Sequence, residues 1–311
     1  MPNKPNTLGK QMTFWESDDR IVPQQPSDQE GEMKLSNVSE GKAVKLTREP
    51  AQTASILSDG HELNPRLARI ANRAEHDKVA TFNNLYSALT HELLYQAYCQ
   101  LKRGKAPGVD GQTLEDYGTH VIANLRLLHA RLQSQSYWPQ PSLRRDIPKG
   151  DGKTRPLGIA CVEDKIVQRA VAMILEGIYE ADFSPSSYGF RPKKSCHQAV
   201  SQLGSDIATK KVNWISDADI KGFFDSASHS HLLEMLKIRI QDAKLLRLIE
   251  RFLHAGVMIE LRFYKTDEGV PQGSCLSPLL ANVYLHYVLD QWFEKQVRPR
   301  LTTISSWTDI L

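Results

Sequence analysis

Cysteine is scarce in this chain: its 311 residues contain only four, and they lie far apart. Cys99, Cys161, Cys196 and Cys275 show none of the paired spacings of a zinc site, and they do not form the dense framework of a disulfide scaffold. The sequence therefore argues against both classes of small stapled domain. We expect four free thiols in a reducing compartment.

Long apolar runs and a strong charge imbalance are also missing. No run approaches the ~20 residues that a membrane-spanning helix needs, and the polar amino terminus lacks the pattern of a signal peptide. The formal net charge of +3 is compatible with a nucleic-acid partner but does not establish one. These absences predict a cytoplasmic protein without membrane contact.

Composition and apolar periodicity divide the chain into three parts. Residues 1–60 are rich in Pro, Gln, Ser, Asp and Glu without sustained apolar periodicity, which predicts a flexible segment. Residues 61–135 show helical patterns over about 62–103 and 119–135. The first of these places an apolar stripe on one face, made of Phe82, Leu85, Leu89, Leu93 and Ala97. Residues 136–311 mix helical and strand patterns, so the whole chain indicates an α+β fold.

The third part carries most of the individual element predictions. Strands are expected from Tyr137 onward and over 257–264. Helices are expected over 163–181, over 192–210, and after Asp242, which caps a helix ending before Gly256. The buried face of the first of these helices should consist of Ile166, Ala170, Ile174 and Ile178.

Acidic residues cluster at the end of another predicted strand. Residues 212–215 show the apolar pattern of a short buried strand, and Asp217, Asp219 and Asp225 follow it. Carboxylates near a core are costly unless a metal or another partner neutralises them, and Mg²⁺ prefers such oxygen ligands. A metal site and a polar strand end leading into a solvated turn are both open for this segment.

Residues 146–159 show a hairpin pattern with a cationic tip. Apolar patches flank the Gly-Asp-Gly turn at 150–152, and Lys149, Lys153 and Arg155 lie on its arms. Arginine offers a planar fork and lysine a point charge to a triphosphate. A triphosphate clamp and an ordinary charged surface hairpin are the two alternatives.

A turn followed by a helix is predicted over residues 271–294. Pro-Gln-Gly-Ser at 271–274 is turn chemistry, Ser277 is a suitable N-cap, and Pro278 suits the first helical position. Apolar residues at helical spacing then predict an amphipathic helix to about Glu294. The loop can seat a phosphate or sugar at the helix N-terminus, or it is simply part of a capped helix.

Five ordered motifs resemble the reverse transcriptases encoded by group II introns. Ile-Pro-Lys…Gly-Lys-x-Arg-Pro-Leu-Gly-Ile occupies 147–159, Tyr-Gly-Phe-Arg-Pro…Ser-x-His-Gln-Ala occupies 188–199, and Asp-Ile-Lys-Gly-Phe-Phe-Asp occupies 219–225. Pro-Gln-Gly-x-x-x-Ser-Pro-Leu-Leu-Ala-Asn occupies 271–282, and Gly-Lys-x-x-Gly-x-Asp-Gly occupies 104–111. The resemblance extends from about residue 80 to about residue 299. It implies the fingers and part of the palm of a right-hand polymerase.

The resemblance also implies an activity, RNA-directed DNA synthesis by two-metal nucleotidyl transfer. Asp219 would be the first metal-binding aspartate, with the backbone carbonyl of Ile220 as a further ligand, and Phe224 would be the steric gate that rejects a 2′-hydroxyl. The implied metal is Mg²⁺. Two such ions ~3.5–4 Å apart clamp the attacking and leaving oxygens.

Nucleotide and RNA contacts follow from the same resemblance. Lys149 and Arg155 would hold the incoming triphosphate, and Gln272 would touch the nucleotide near its sugar. The implied partners are group II intron RNA, or another RNA template with a DNA primer, and dNTPs, in a bacterial cytoplasm. His229 falls where the family has a histidine, so we interpret it as structural. RNA contacts are expected from four basic residues: Lys105, Arg144, Arg145 and Arg191.

The sequence departs from the family after about residue 299. The family's Tyr-Ala-Asp-Asp hairpin, which carries its other two catalytic carboxylates, does not occur among the 311 residues. The final Trp-Thr-Asp-Ile, which contains Asp309, is either a degraded version of that hairpin or part of an unrelated tail after a frameshift or early stop. We expect a carboxy-terminally truncated reverse transcriptase that is inactive alone. An RNA-binding splicing cofactor without synthesis and a non-functional remnant are the alternatives.

Overall fold

Helices make up most of the described chain, and one small sheet lies among them. The computed structural model describes residues 64–148, 152, 154–210, 212, 215, 217, 219–220 and 222–300. The segment 1–60, Lys149, Trp214 and the tail 301–311 with Asp309 lie outside these residues, so the predictions made for them are not addressed. The expected α+β fold is confirmed.

The regular elements alternate along the chain. The helices are α1 (Pro65–His76), α2 (His91–Cys99), α3 (Leu114–Gly118), α4 (Val121–Gln133), α5 (Val162–Tyr179), α6 (Cys196–Thr209), α7 (Phe223–Ser226), α8 (His229–Arg239), α9 (Ala243–Leu253) and α10 (Ser277–Leu285). The strands are β1 (Ser142–Pro148), β2 (Thr154–Ile159), β3 (Val257–Ile259) and β4 (Arg262–Tyr264).

α5 is the centre of the hydrophobic core. The four residues predicted for its inner face are all buried, and α1, α2 and α10 pack against it in one continuous cluster. Glu163 and Asp164 lie in its first turn, where acidic side chains interact favourably with the helix dipole. The predicted helix over 163–181 is therefore confirmed, within two residues at each end.

The helical pattern over 62–103 is interrupted in the structure. α1 ends at His76, a single 3₁₀ turn spans Tyr86–Ala88, and α2 begins at His91. Asn84 has a φ of 81°, a left-handed conformation that a continuing helix does not tolerate. The carboxylate of Asp242 then accepts a hydrogen bond from the Tyr86 amide at 2.7 Å. The apolar stripe is buried as predicted, but it does not belong to one helix.

The sheet has the strand order β2-β1-β3-β4. β1 pairs antiparallel with β2 and parallel with β3, and β3 pairs antiparallel with β4. The prediction of one strand over 257–264 is wrong, because Glu260 and Leu261 have φ values of 45° and 66°. Positive φ at both central residues is what a type I′ hairpin turn requires. The first strand begins at Ser142 rather than at Tyr137, since two prolines precede it and lack the N–H that pairing needs.

α6 and α9 each begin with a side chain that is common at helix amino termini. Ser195 caps α6 by accepting a hydrogen bond from the Gln198 amide at 3.3 Å, so this helix begins four residues later than predicted. Asp242 caps α9 as predicted, accepting from the amides two and three residues ahead at 3.0 and 3.2 Å. Gly256, with a φ of 78°, follows the end of α9.

α10 differs from its prediction at both ends. Ser277 is the first helical residue instead of the cap, and its hydroxyl donates to the carbonyl of Pro271 at 2.8 Å. The regular helix ends at Leu285 and continues as wider π-type turns over His286–Asp290 and Phe293–Val297. The predicted cap was wrong because a carbonyl of the preceding loop competes for the hydroxyl.

All four cysteines are free thiols, and Cys161 is buried. Within the described ranges, no helix combines the length and the apolar character that crossing a bilayer requires.

Candidate nucleotide-binding and catalytic site

The β1–β2 hairpin forms one side of the candidate site, and its existence confirms the hairpin prediction. Its register pairs Arg145 with Leu157 and Ile147 with Arg155. Because side chains alternate along a strand, Arg145 and Arg155 lie on one face of the hairpin and Arg144 lies on the other. Arg144 Nε contacts the carboxylate of Asp146 at 3.1 Å. One face of the hairpin therefore carries Arg145 and Arg155, and the other carries Arg144.

The Pro-Gln-Gly loop lies directly against this hairpin. The carbonyl of Gln272 accepts a hydrogen bond from the Gly158 amide at 2.7 Å, and its side-chain Oε1 accepts from Arg155 Nε at 3.0 Å. Gly273 has a φ of 103°, and a Cβ there would lie 2.5 Å from the carbonyl oxygen of Gly158. Only glycine fits this close approach of two backbones. The structure thus brings together two of the predicted nucleotide-binding residues.

The segment around Phe224 holds the same loop from its other side. The carbonyl of Phe224 accepts a hydrogen bond from the Val270 amide at 2.7 Å, and the carbonyl of Ala227 accepts from the Gly269 amide at 2.8 Å. The Phe224 ring is half-buried and meets Phe223 edge to face. Phe224 and Gln272 therefore lie on one connected framework, although they are far apart in sequence.

His229 anchors that framework to α8. Its Nε2 lies 2.6 Å from the carbonyl of Gly269, and its ring meets His254 edge to face at 4.8 Å between centroids. Burial lowers the pKa of His229, with the Gly269 carbonyl opposing that shift. Because Nε2 is the ring nitrogen next to this carbonyl, a neutral His229 must carry its proton on Nε2 to donate the bond. The histidine contacts the loop backbone, which supports the structural role assigned to it.

Asp219 and Ile220 occupy an exposed, irregular segment. Residues 212, 215, 217, 219 and 220 form no strand, and Ile215 is 63% exposed. For these described positions the predicted buried strand is wrong. Among the described residues, β1–β4 pair with one another, and residues 212 and 215 belong to none of these strands.

The oxygen donors in this segment are of the type that a divalent metal prefers, but they are too few to hold it by themselves. Asp219 offers an exposed carboxylate, and Ile220 offers a backbone carbonyl. Over the described parts of the chain, no three His, Cys, Asp or Glu side chains come together as a ligand group. Mg²⁺ is commonly bound through one or two carboxylates plus substrate phosphates. The residues therefore fit a metal that arrives with a nucleotide better than one held by protein alone.

The other predicted RNA-binding residues differ in their surroundings. Lys105 and Arg145 are exposed. The Arg191 side chain is only 7% exposed and pairs with Glu180 at 3.1 Å. Its guanidinium also donates to the carbonyls of Ser184 and Ser187 at 2.7 and 2.8 Å. Arg191 thus holds its own loop together in this structure, and its guanidinium is engaged by protein groups.

Two residues without a predicted role connect the site to the core. Gln168 on α5 accepts the Cys275 amide at 3.3 Å, and Asn282 on α10 donates to the Gly189 carbonyl at 2.8 Å. Both are buried polar side chains within apolar helical patterns. That mismatch is the signal that could have identified them, since buried amides need hydrogen-bond partners.

Comparisons with known proteins agree with the motif pattern. Residues 147–308 match the family described as "Reverse transcriptase (RNA-dependent DNA polymerase)". "Group II intron-encoded protein LtrA" of Lactococcus lactis subsp. cremoris is 35% identical over 244 residues, covering 76% of this chain and 40% of that protein. "Protein YkfC" of Escherichia coli (strain K12) is 37% identical over 198 residues, covering 63% of this chain and 52% of that protein.

A fungal protein also matches. The "Uncharacterized 91 kDa protein in cob intron" of Schizosaccharomyces pombe is 37% identical over 216 residues, covering 68% of this chain and 26% of that protein. The chain thus spans about half or less of the length of these curated relatives.

Proposed function

This chain belongs to the reverse transcriptase family, in its group II intron-encoded branch, and on that premise we propose that it provides the nucleotide-binding part of an RNA-directed DNA polymerase. The observation that carries the proposal is the convergence of three separate motifs on one loop. Arg155 contacts the Gln272 side chain, and the Phe224 carbonyl accepts from the Val270 amide. We further propose residues 61–135 as an amino-terminal extension of the fingers and 136–311 as the polymerase domain.

The cations of the hairpin bind the incoming triphosphate in this proposal. The Nε of Arg155 donates a hydrogen bond to Gln272. Its terminal amino groups can then bind phosphate oxygens. Lys149 would add a second positive charge at the tip of the hairpin. Preorganised cations of this kind offset the negative charge that develops on a transferring phosphoryl group.

Phe224 and Gln272 would contact the sugar of the nucleotide. The backbone of Phe224 is bound to the loop that carries Gln272, through the Val270 amide, so the two residues belong to one framework. A ring held rigidly against the sugar can exclude a 2′-hydroxyl by steric contact. The gate would therefore depend on the loop as much as on the phenylalanine itself.

The proposed metal is Mg²⁺, held by Asp219, the Ile220 carbonyl and the phosphates of the nucleotide. When bound, such a metal neutralises charge on the attacking and leaving oxygens of the displacement. The protein residues contribute exposed oxygen donors and the nearby cations. Members of this family use divalent metal ions.

The proposed partners are an RNA template, a DNA primer and dNTPs, with group II intron RNA as the natural template. Arg145 shares the hairpin face of Arg155, and Lys105 is exposed before α3. Both would contact phosphates, which gives affinity without sequence specificity. Arg144 would contribute from the opposite face.

A second candidate function is assistance of intron splicing by RNA binding without synthesis. The exposed cations and the intron-encoded relative favour it, and it does not require a metal site. Splicing of a group II intron RNA by the protein, unaffected by Asp219→Asn, would distinguish this role from polymerisation.

Primer extension tests the main proposal. A polypeptide of these 311 residues contains Asp219 but no Tyr-Ala-Asp-Asp segment, so we expect nucleotide binding without extension. Joining the corresponding palm segment of LtrA to it should produce cDNA with template, primer, dNTPs and Mg²⁺. Asp219→Asn should abolish that synthesis, whereas Asp267→Asn, a change in an exposed ion pair with Lys265, should not. Synthesis that survives Asp219→Asn would contradict the proposal.

A further inference from the structure

The loop between α5 and α6 presents an exposed aromatic side chain in a strained backbone conformation. Phe190 is 59% exposed and has a φ of 52°. Residues with a bulky side chain rarely adopt positive φ, because that backbone conformation is strained for them. Backbone strain of this kind is found most often at functional sites. With more than half of its surface exposed, this residue gains only part of the stabilisation that full burial of an aromatic side chain would give. The strain and the exposure both suggest that the ring has a partner outside the described residues.

The residue before Phe190 is anchored to the core. The Gly189 carbonyl accepts the Asn282 side-chain amide at 2.8 Å, and Asn282 is only 3% exposed. This bond links the loop to α10, the helix that follows the Pro-Gln-Gly loop. Gly189 is therefore held by the helix that follows the candidate nucleotide site.

The residue after Phe190 is anchored equally well. Arg191 bonds to Glu180 and to the carbonyls of Ser184 and Ser187, and its guanidinium lies 5.2 Å from the ring centroid of Phe183. With both neighbours held, the Phe190 ring projects from a rigid base. A rigid aromatic contact loses little conformational entropy when it binds.

The surroundings of Phe190 are cationic. Residues 183–205 contain no Asp or Glu, whereas Arg191, Lys193 and Lys194 lie within four consecutive positions. Lys194 is occupied by the Tyr188 ring at 4.3 Å and by the Pro185 carbonyl at 2.9 Å. Lys193 is exposed, and no described residue forms an ion pair with it. The exposed Phe190 ring is thus followed, three positions later, by an exposed lysine.

We propose that Phe190 is a stacking platform for an unpaired base of single-stranded RNA and that Lys193 contacts a phosphate of the same strand. This inference rests on the proposed function, since it assigns a binding position to the RNA of that function. Aromatic side chains in cationic surroundings bind unpaired bases through stacking, largely independently of sequence. Bases within a duplex are already stacked on each other, so they offer this ring no free face. The site should therefore select single strands.

Binding of labelled oligonucleotides by fluorescence anisotropy tests the assignment. Phe190→Ala should weaken binding of a single-stranded RNA roughly five- to hundredfold, whereas Phe190→Trp should retain it. Binding of a blunt RNA duplex should not change in either variant. Leu261→Ala is the matched control, because Leu261 is 95% exposed and also has a positive φ, of 66°. It should leave binding of both RNAs unchanged.

Phe190→Gly separates binding from folding. Glycine adopts positive φ without strain, so this variant should melt at the wild-type temperature or above it while binding single-stranded RNA as weakly as Phe190→Ala. If the wild-type protein bound neither RNA, the proposed function would fail. If it bound single strands and Phe190→Ala bound them equally well, only the stacking site would be wrong. Equal losses for single strands and duplexes would also overturn the stacking site.

Discussion

Arg155 and Gln272 lie 117 positions apart in the chain and meet through a hydrogen bond of 3.0 Å from Nε to Oε1. The Gln272 carbonyl is bound at the same time to the Gly158 amide on the same strand as Arg155. A neutral amide therefore fixes the orientation of a guanidinium that we assign to triphosphate binding. The strand and the loop act as one unit at this point.

Substitution of Gln272 should weaken nucleotide binding. Gln272→Ala removes the acceptor and releases Arg155, and we expect about tenfold weaker binding of dNTP with Mg²⁺, the value of one hydrogen bond to a charged group. Gln272→Glu keeps an acceptor but offsets the positive charge, so it should weaken binding at least as much. Equilibrium dialysis with labelled dNTP measures both.

A control for this experiment is Gln202→Ala, which removes a glutamine that bonds to Asp206 within α6. It should bind dNTP like the wild type. Tighter binding by Gln272→Glu would show that Arg155 does not contact the triphosphate.

Two glycine substitutions should have opposite effects on stability. Gly273→Ala places a Cβ 2.5 Å from the Gly158 carbonyl oxygen at a φ of 103°, so it should lower the free energy of unfolding by about 1–3 kcal/mol. Gly204→Ala lies within α6 with open space around the new methyl group. It should raise stability by roughly 0.5–1 kcal/mol, because alanine is the better helix former. Urea unfolding measures the free energy of unfolding of each variant. Equal changes in the two variants would show that the close approach of the backbones at Gly273 is not maintained in solution.

The buried pair of Tyr137 and Asp164 should make stability depend on pH. Burial raises the pKa of Asp164 to about 6, against hydrogen bonds from the Tyr137 hydroxyl and the Gln140 amide. A carboxyl group whose pKa is higher in the folded state than in the unfolded state stabilises the fold at low pH. That contribution is fully present below the unfolded value near 3.8 and is lost as the pH rises through about 6.

Asp164→Asn should therefore flatten the pH dependence of the melting temperature between about pH 4 and pH 7, because it removes the titrating group. Tyr137→Phe removes a donor that favours the charged carboxylate, so it should move the wild-type decline to higher pH. Melting curves across this range measure both. Parallel profiles for the wild type and Asp164→Asn would contradict the assignment.

The salt dependence of RNA binding should report the hairpin cations. Each phosphate contact contributes about 0.7 to the slope of log affinity against log salt for single strands. Replacing both Arg144 and Arg145 with alanine should therefore flatten the slope by up to about two units for a duplex region and somewhat less for a single strand. Asp146→Asn should strengthen binding, because it releases Arg144 from its carboxylate partner. Salt-insensitive binding, or an unchanged slope in the double variant, would show that RNA does not contact this hairpin.

Local patterns in the sequence were enough to predict the elements whose causes are local. α4 and α5 follow from apolar periodicity, the cap of α9 from one aspartate, and the β1–β2 hairpin from a glycine-rich turn between apolar arms. The family followed from the order and spacing of its motifs, which are properties of the chain alone. In each case the deciding interactions connect residues that are near one another in sequence.

Tertiary structure decided the features that depend on distant partners. The sequence could not show that Ser277 bonds to the Pro271 carbonyl instead of capping α10, or that Ile215 lies exposed. Nor could it show that Gln272 orients Arg155 or that Asn282 holds the loop of Phe190. A hydroxyl, an amide or an apolar side chain has several possible partners of similar energy. Which one it contacts depends on how segments far apart in the chain pack together.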